Sequence, residues 1–145
     1  MPKKFYTSMP KGYAACLHSH CTLAATCLHQ LAYNQLIQGE TYLNVINPTQ
    51  CSQKEDCPFY RNNQPVVYVR GFTKMQKRML PDQYRKFMQI LIGEFGSNPY
   101  YERRRGETAL SPREQEIVRH ALRQVGLPDN WEFDAYEENV NWLDY

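Results

Sequence analysis

The chain has 145 residues, of which 42% are hydrophobic and 22% charged, values typical of a globular domain and not of a disordered chain. The absence of a long apolar run excludes a membrane-spanning helix, so we expect no membrane insertion. No apolar stretch follows the N-terminal lysines, which argues against a secretory signal and predicts a cytoplasmic protein with reduced thiols.

The charge is unevenly distributed although the net charge is only +2. Residues 60–125 carry 13 Lys and Arg against 6 Asp and Glu, whereas residues 126–145 carry six acids and no Lys or Arg. Two interpretations stay open. Either the acidic tail neutralises the basic middle of its own chain, or the basic residues form a surface for phosphate groups.

The first half of the chain predicts few regular elements. Residues 1–15 predict an extended arm, because prolines and a glycine interrupt them. A helix is predicted over 22–38, with Thr22 as its N-cap and apolar residues at helical spacing. Residues 41–47 and 65–72 predict two strands, the second richer in β-branched residues.

The second half predicts more helix. Thr73 is a candidate cap for a short helix over 74–79, and Pro81 opens a longer helix over 82–95. Residues 96–109, which contain two glycines and a proline, predict a loop or a short hairpin.

The clearest local signature belongs to a helix predicted over 112–125. Ser111 is its N-cap, Pro112 takes the first helical position, and Glu114 completes a capping box. Its apolar face, which we expect to be buried, consists of Ile117, Val118, Ala121, Leu122 and Val125.

Together these elements predict an α+β fold. We expect a mostly helical single domain over 1–145, with a small β-sheet or hairpin and a Cys-rich N-terminal region. Within it we distinguish an extended arm (1–15), a Cys-rich region (16–60) and a helical part with an acidic aromatic tail (61–145).

Five cysteines are the main candidates for chemistry: Cys16, Cys21, Cys27, Cys51 and Cys57. Structural zinc takes four thiolate or imidazole ligands, commonly as two short-spaced pairs, and two clusters separated by a helix and a strand fit that topology. The five-residue spacings are unusual for zinc, and the proline after Cys57 resembles the end of some iron–sulfur ligand runs. If four bind, we expect Cys21, Cys51 and Cys57 together with Cys16 or Cys27.

Two alternatives to a metal site stay open for the cysteines. They could be reduced thiols that merely pack, as Cys27 on the apolar face of its helix would, or they could be redox-active. His18, His20 and His29 are expected to face solvent and not to act as ligands.

The runs "CLHSHCTLAATCLHQLAY", "NPTQCSQKEDCPFYRNNQPVVYVRGFT" and "SPREQEIVRHALRQVG" resemble an uncharacterised family of small Cys-rich bacterial proteins. Its members share three spaced cysteines followed by Leu-Arg, a later cysteine pair and a Gly-Phe after a strand. This chain has His29 in place of the Arg and Thr22 in place of a usual Pro. The resemblance covers nearly the whole chain and implies one intact domain but no activity.

A second candidate site is the basic loop around Arg103, Arg104 and Arg105. Arginines neutralise phosphates, and Tyr100 and Tyr101 offer faces on which bases could stack. The acidic tail stands where a recognition helix would have to follow, so groove reading by a helix-turn-helix is not predicted. The competing interpretation is a solvated loop whose arginines pair with the tail.

Motifs of catalysis are not found in the sequence, which has no glycine-rich phosphate loop, nucleophile elbow or His-Glu-x-x-His helix. We therefore do not expect an enzyme. The predicted function is a binding or regulatory module with a cysteine-ligated metal site, zinc by preference, and an unidentified protein partner. The alternatives are a nucleic-acid-binding protein and an iron–sulfur or thiol redox protein.

Overall fold

The computed structural model of the protein describes residues 9–143. No helix within this range is long and apolar enough to cross a membrane. The regular elements are α1 (Leu28–Leu36), β1 (Pro65–Arg70), α2 (Thr73–Lys77), α3 (Pro81–Phe95), α4 (Ser97–Arg104), α5 (Pro112–Gln124) and β2 (Ala135–Val140).

The fold is α+β and mostly helical, with a two-stranded antiparallel sheet formed by β1 and β2, as the sequence predicts. The described residues divide into two compact units. We call residues 66–139 the helical unit, and residues 9–65 with 140–143 the cysteine unit. The segment boundaries predicted near residues 15 and 60 remain predictions, and residues 1–8 of the predicted arm lie outside the described range.

Helix α3 in the helical unit follows the local signals closely. Pro81 takes its first position, where the missing N–H would have no intrahelical partner. The Leu80 N–H donates to Gln83 Oε1 at 3.0 Å, and Gly96, with a φ of 89°, ends the helix. Phe87 and Leu91 are its buried residues, so the predicted helix and its inward face are confirmed.

Helix α5 also begins and ends where predicted. The Glu114 N–H donates to the Ser111 hydroxyl at 3.4 Å, which confirms the N-cap. Val118, Ala121 and Leu122 are fully buried. The other two residues of the predicted face, Ile117 and Val125, are only partly buried and pack against the same core.

The prediction of a loop over residues 96–109 is wrong, because most of this segment forms α4. Gly96 turns the chain, and Pro99 falls within the first helical turn, where proline is tolerated. The helix closes before Gly106, which has a φ of 83°. Tyr100, Tyr101, Arg103 and Arg104 therefore lie on α4, and Arg105 is its C-cap residue.

Asp134 provides the cap of the short helix α2. Its carboxylate accepts from the Thr73 N–H at 2.9 Å, from the Thr73 hydroxyl at 2.6 Å and from the Lys74 N–H at 3.0 Å. Gly71 precedes this contact with a φ of 76°, and a Cβ there would lie 2.6 Å from Asp134 Oδ2. Asp134, about sixty positions further along the chain, thus caps α2, the helix that Thr73 was predicted to cap.

Helix α1 in the cysteine unit starts six residues later than predicted. Cys27, not Thr22, is its N-cap residue, with extended backbone angles (φ −86°, ψ 129°). Cys27 pairs with Asn62 in an antiparallel bridge, and the Leu28 N–H donates to the Arg61 carbonyl at 2.8 Å. This pairing holds the backbone in a β conformation, which a helix cannot include.

The strand predicted over 41–47 is reduced to one bridge, in which Val45 pairs in parallel with Ala15. Ala15 is fully buried and Tyr13 is 3% exposed, so the described part of the predicted arm contributes to the core. That core also contains Leu28, Ala32 and Trp142.

A cysteine-lined cavity as the candidate functional site

All five cysteines line a single cavity in the cysteine unit. The cavity has a volume of about 20 Å³, and its cysteines are all half-buried free thiols. Besides them, its wall includes His18, His29, Gln30, Phe59 and Tyr60. The fold therefore brings together two cysteine clusters that are well separated in the sequence.

Cys16 is held in the cavity wall by hydrogen bonds on both sides of its segment. The Ala15 N–H donates to the Asn44 carbonyl at 2.8 Å, and the Ile46 N–H donates back to Ala15 at 2.9 Å. The Cys16 N–H donates to the carbonyl of His29 in α1 at 3.0 Å. These bonds attach Cys16 to α1 and to the segment that leads to Cys51.

Cys21 lies in a series of tight turns between Cys16 and α1. Its N–H donates to the His18 carbonyl at 3.2 Å, and the Ala24 N–H donates to its own carbonyl at 3.0 Å. The Leu23 N–H points at the Cys21 sulfur, 3.4 Å away. The Cys21 sulfur thus accepts a backbone hydrogen bond from within its own turn.

Cys51 follows a 3-10 turn over Pro48–Gln50, which begins with an Asn47 cap. The Thr49 N–H donates to Asn47 Oδ1 at 3.0 Å, and the Cys51 sulfur lies 3.8 Å from the Asn47 carbonyl. Cys57 lies in the next turn, where its N–H donates to the Lys54 carbonyl at 3.1 Å.

Three side-chain contacts tie the loops of the two cysteine clusters together. The His18 Nε2 lies 3.0 Å from the Pro48 carbonyl, and the hydroxyls of Thr26 and Tyr60 are 2.7 Å apart. A longer contact of 3.5 Å joins the Thr22 hydroxyl to the carbonyl of Gln53. Long-range contacts of this kind fix the cavity but leave no periodic signal in the sequence.

The thiols lie close enough to influence one another. Burial raises the pKa of Cys51 to about 11, with further contributions from Cys16, Cys57 and Cys21 and a side-chain hydrogen bond with Cys16. Since each of these neighbours disfavours a second negative charge, Cys51 keeps its proton at neutral pH. Cysteines from both clusters therefore form one electrostatically coupled group.

His29 is a cavity residue that the sequence misplaced, because it is 7% exposed and does not face solvent. Its Nδ1 lies 2.7 Å from the Ala14 carbonyl, and its ring stacks on Tyr13 with centroids 5.0 Å apart. Burial lowers the pKa of His29, although hydrogen bonds to the Ala14 and Phe59 carbonyls act in the opposite direction. The ring is consequently neutral and holds its position in the wall.

Gln30 also lines the cavity and is 5% exposed. Its Nε2 contacts Asn34 Oδ1 at 3.5 Å, while its Oε1 is buried and has no hydrogen-bond partner within residues 9–143. A buried amide oxygen without a partner costs free energy.

Although the thiols converge, they are not arranged as ligands. Within residues 9–143, no three Cys, His, Asp or Glu side chains stand in positions from which they would hold a metal ion. The cavity thus unites the donor atoms without the tetrahedral geometry that zinc requires.

The residues of the second predicted site are engaged with the helical unit. Arg103 pairs with Glu114 of α5 at 2.8 Å, and Arg105 pairs with Glu107 at 2.9 Å, so their partners come from outside the acidic tail. Arg104 lies with its guanidinium carbon 5.9 Å from the centroid of a tyrosine ring. The expectation that the tail neutralises these arginines is wrong for the pairs found in the described residues.

The two tyrosines of that site also lie in the interior or against it. Tyr100 is fully buried and accepts a hydrogen bond from Gln76 Nε2 at 2.6 Å, so it presents no ring face to solvent. Tyr101 is partly buried and packs edge-on against Tyr100 at 5.0 Å.

The acids of the tail have other partners. Glu137 pairs with Arg70 at 3.3 Å, Asp129 pairs with Arg123 at 2.8 Å, and Asp134 caps α2. These contacts attach the tail to the helical unit through residues other than the three consecutive arginines.

The fold and the site together define the class of protein, which is a small α+β chain whose cysteines converge on one cavity. The particular family is shown by a match to a family of unknown function, DUF6078, over residues 1–142, and the chain belongs to it. No curated protein and no solved structure matches the chain closely enough to indicate a relative. The family match confirms the predicted resemblance to an uncharacterised family and assigns no activity.

Proposed function

We propose that the protein is a small binding or regulatory module whose cysteine-lined cavity holds one structural metal ion, with zinc as the expected ion. The observation that supports this function is the convergence of all five cysteines on one cavity of about 20 Å³. A cavity of that size accommodates a water molecule or a single ion, but not an organic cofactor.

The donor atoms also argue for zinc. Thiolates are soft ligands that select zinc, copper(I) or iron over magnesium and calcium, which prefer oxygen. Sulfur binds zinc at about 2.3 Å in a closed tetrahedron at structural sites. The fold places five such sulfurs around one cavity.

Metal binding requires two local changes. The sulfurs have to turn towards a common centre, because within residues 9–143 they are not arranged as ligands. Bound cysteines also have to lose their protons, and burial raises the pKa of the Cys51 thiol to about 11. Cys21, Cys51 and Cys57 lie on turns and loops, where a side-chain rotation does not disturb a helix.

An iron–sulfur cluster is the less favoured occupant of the same cavity. It needs cysteine thiolates too, but several iron and sulfide ions require far more space than a single zinc ion. A redox function without metal would use the same thiols, and metal analysis distinguishes it from the proposed function.

The experiment that tests the function is metal analysis of protein purified without oxygen. We expect one zinc ion per chain and a colourless protein. Replacement by cobalt should produce the intense sulfur-to-cobalt charge-transfer absorption and the visible bands of a tetrahedral thiolate site. A chelator should lower the melting temperature clearly, because metal binding stabilises only the folded chain.

A matched pair of variants provides the control. Replacing Cys16 and Cys51 together by serine should abolish cobalt absorption and the effect of the chelator, whereas Ser52→Ala in the same loop should change neither. Protein without metal whose melting temperature is unchanged by added zinc would overturn the proposed function.

Nucleic-acid binding is a second candidate function, favoured by one feature of the arginine segment. The Arg104 Nε is buried without a partner within residues 9–143, and the Arg105 side chain is 54% exposed. Of the two, Arg105 is the residue whose side chain a phosphate could reach. The proposed metal-binding module is expected to have a protein as its partner. Exposed apolar side chains on the cysteine unit support this expectation, among them Tyr42, which is 90% exposed.

A further inference from the structure

Five thiols line the cavity, but a tetrahedral ion takes only four of them. We infer that Cys16, Cys21, Cys51 and Cys57 hold the ion, and that Cys27 remains a free thiol beside the occupied site. This inference rests on the proposed function and specifies its ligands.

The first argument is proximity around Cys51. The thiols that act on Cys51 are those of Cys16, Cys57 and Cys21, and Cys16 is close enough to share a side-chain hydrogen bond with it. Since all four sulfurs line the same cavity, local rotations of these side chains would bring them to one ion beside Cys51. The group contains members of both cysteine clusters, as a site that joins two segments of chain requires.

The second argument is the local backbone around each pair. Cys16 and Cys21 belong to one segment with a four-residue spacing, and Cys51 and Cys57 belong to another with a five-residue spacing. The loops of the two segments are joined where His18 meets the Pro48 carbonyl. Two short-spaced pairs on connected loops are the usual architecture of a structural zinc site.

Cys27 has a different place in the fold. It is the N-cap residue of α1 and is joined to Asn62 by a backbone bridge, and its carbonyl accepts the first helical hydrogen bond, from Leu31, at 3.0 Å. Its backbone is thus held by a bridge partner that belongs to neither cysteine pair. We assign it to the wall of the cavity.

Alkylation followed by mass spectrometry tests the ligand set directly. Zinc-bound protein is treated with N-ethylmaleimide, and the modified cysteines are identified in peptides. Bound thiolates react slowly, so we expect one modification per chain, at Cys27, and five modifications after zinc has been removed with a chelator. In the Cys27→Ser variant, the zinc-bound protein should not be modified, and it should still bind one zinc.

Single replacements supply the second measurement. Cys16→Ser, Cys21→Ser, Cys51→Ser and Cys57→Ser should each reduce zinc affinity at least tenfold. Cys27→Ser should leave it within about twofold of the parent. Zinc-bound protein that protects Cys27 and exposes one of the other four would overturn the inference but leave the proposed function intact. Protein that binds no zinc at all would overturn both.

Discussion

Arg103 and Glu114 form a doubly hydrogen-bonded ion pair between α4 and α5. The Arg103 Nε donates to Glu114 Oε2 at 2.8 Å and its Nη2 donates to Oε1 at 3.2 Å. The side chains are only 18% and 9% exposed, and the Arg103 guanidinium also lies 4.8 Å from the centroid of the Phe95 ring. Arg103 is thus part of the helix packing, although it belongs to a run of three arginines.

Removing one member of this pair should destabilise the helical unit strongly. Glu114→Ala leaves the guanidinium mostly buried without its anion, so we expect a loss of about 3 kcal/mol in the free energy of unfolding. Chemical denaturation measures it. Arg105→Ala breaks only the exposed pair with Glu107 and should leave the denaturation midpoint nearly unchanged. Equal effects of the two variants would contradict this role of Arg103 and Glu114.

The cap of α5 makes a separate prediction. Ser111 is 1% exposed, and its hydroxyl accepts the Glu114 N–H, so Ser111→Ala should cost about 1 kcal/mol. Ser97→Ala is the matched control, since α4 begins without a side-chain cap. An unchanged free energy of unfolding for Ser111→Ala would show that the cap does not contribute.

The start of α5 also shows which features of the fold could be predicted from local sequence signals. Pro81, Pro112 and Ser111 act on their own helix ends, so the bounds of α3 and α5 could be predicted from the sequence. The capping box at Ser111 was only half right, because the Glu114 carboxylate binds Arg103 eleven residues away. In the folded chain the buried Arg103 thus binds the Glu114 carboxylate, which a capping box would direct to the N-terminus of α5.

Two of the errors, the start of α1 and the placement of His29, share one physical cause. The start of α1 is set by the pairing of Cys27 with Asn62, a contact between distant residues that no periodicity records. The same holds for His29. Its polar ring is buried because it stacks on Tyr13 and contacts the Ala14 carbonyl. The cysteine spacing did predict which residues could form a site, but their convergence on one cavity depends on these long-range contacts.

Asp134 provides a prediction about such a contact. Asp134→Ala removes three hydrogen bonds to the first residues of α2, and we expect a loss of about 2 kcal/mol in the free energy of unfolding. Asp82→Ala, in the first turn of α3, is the control, because that side chain is 94% exposed and should contribute little. Denaturation curves of both variants decide the comparison, and a smaller effect at position 134 than at position 82 would count against the cap.

Tyr100 should resist ionisation while the protein is folded. Burial raises its pKa above the ordinary value of 10, although the hydrogen bond with Gln76 acts in the opposite direction. Above about pH 10 the unfolded chain loses this proton before the folded chain does, so stability should fall as the pH rises.

Absorbance at 295 nm measures this ionisation. While they are folded, the parent and Tyr100→Phe should show the same absorbance change with rising pH. In denaturant, the change in the parent should be larger by one tyrosine. A smaller change in the folded variant near pH 10 would show that Tyr100 is accessible, contrary to its complete burial.

Salt-dependent binding to nucleic acid tests the second candidate function. Each phosphate neutralised by arginine releases counterions, so the slope of log affinity against log salt reports the number of contacts. Since Arg103 is held by Glu114, the variant that tests the surface without disturbing α4 is Arg104→Ala with Arg105→Ala. If this segment binds phosphate, the slope should decrease by roughly one unit for each lost contact.

We expect the other result, because Glu107 already neutralises Arg105 and Arg104 packs beside a tyrosine ring. Binding of single-stranded and duplex DNA at low salt should be weak, and the slope should be the same in the parent and the double variant. Glu107→Gln is the informative control, since it releases Arg105 from its carboxylate and should strengthen any binding that uses this arginine. Tight binding by the parent, with a lower slope in the double variant, would contradict the expectation and favour a nucleic-acid interface on α4.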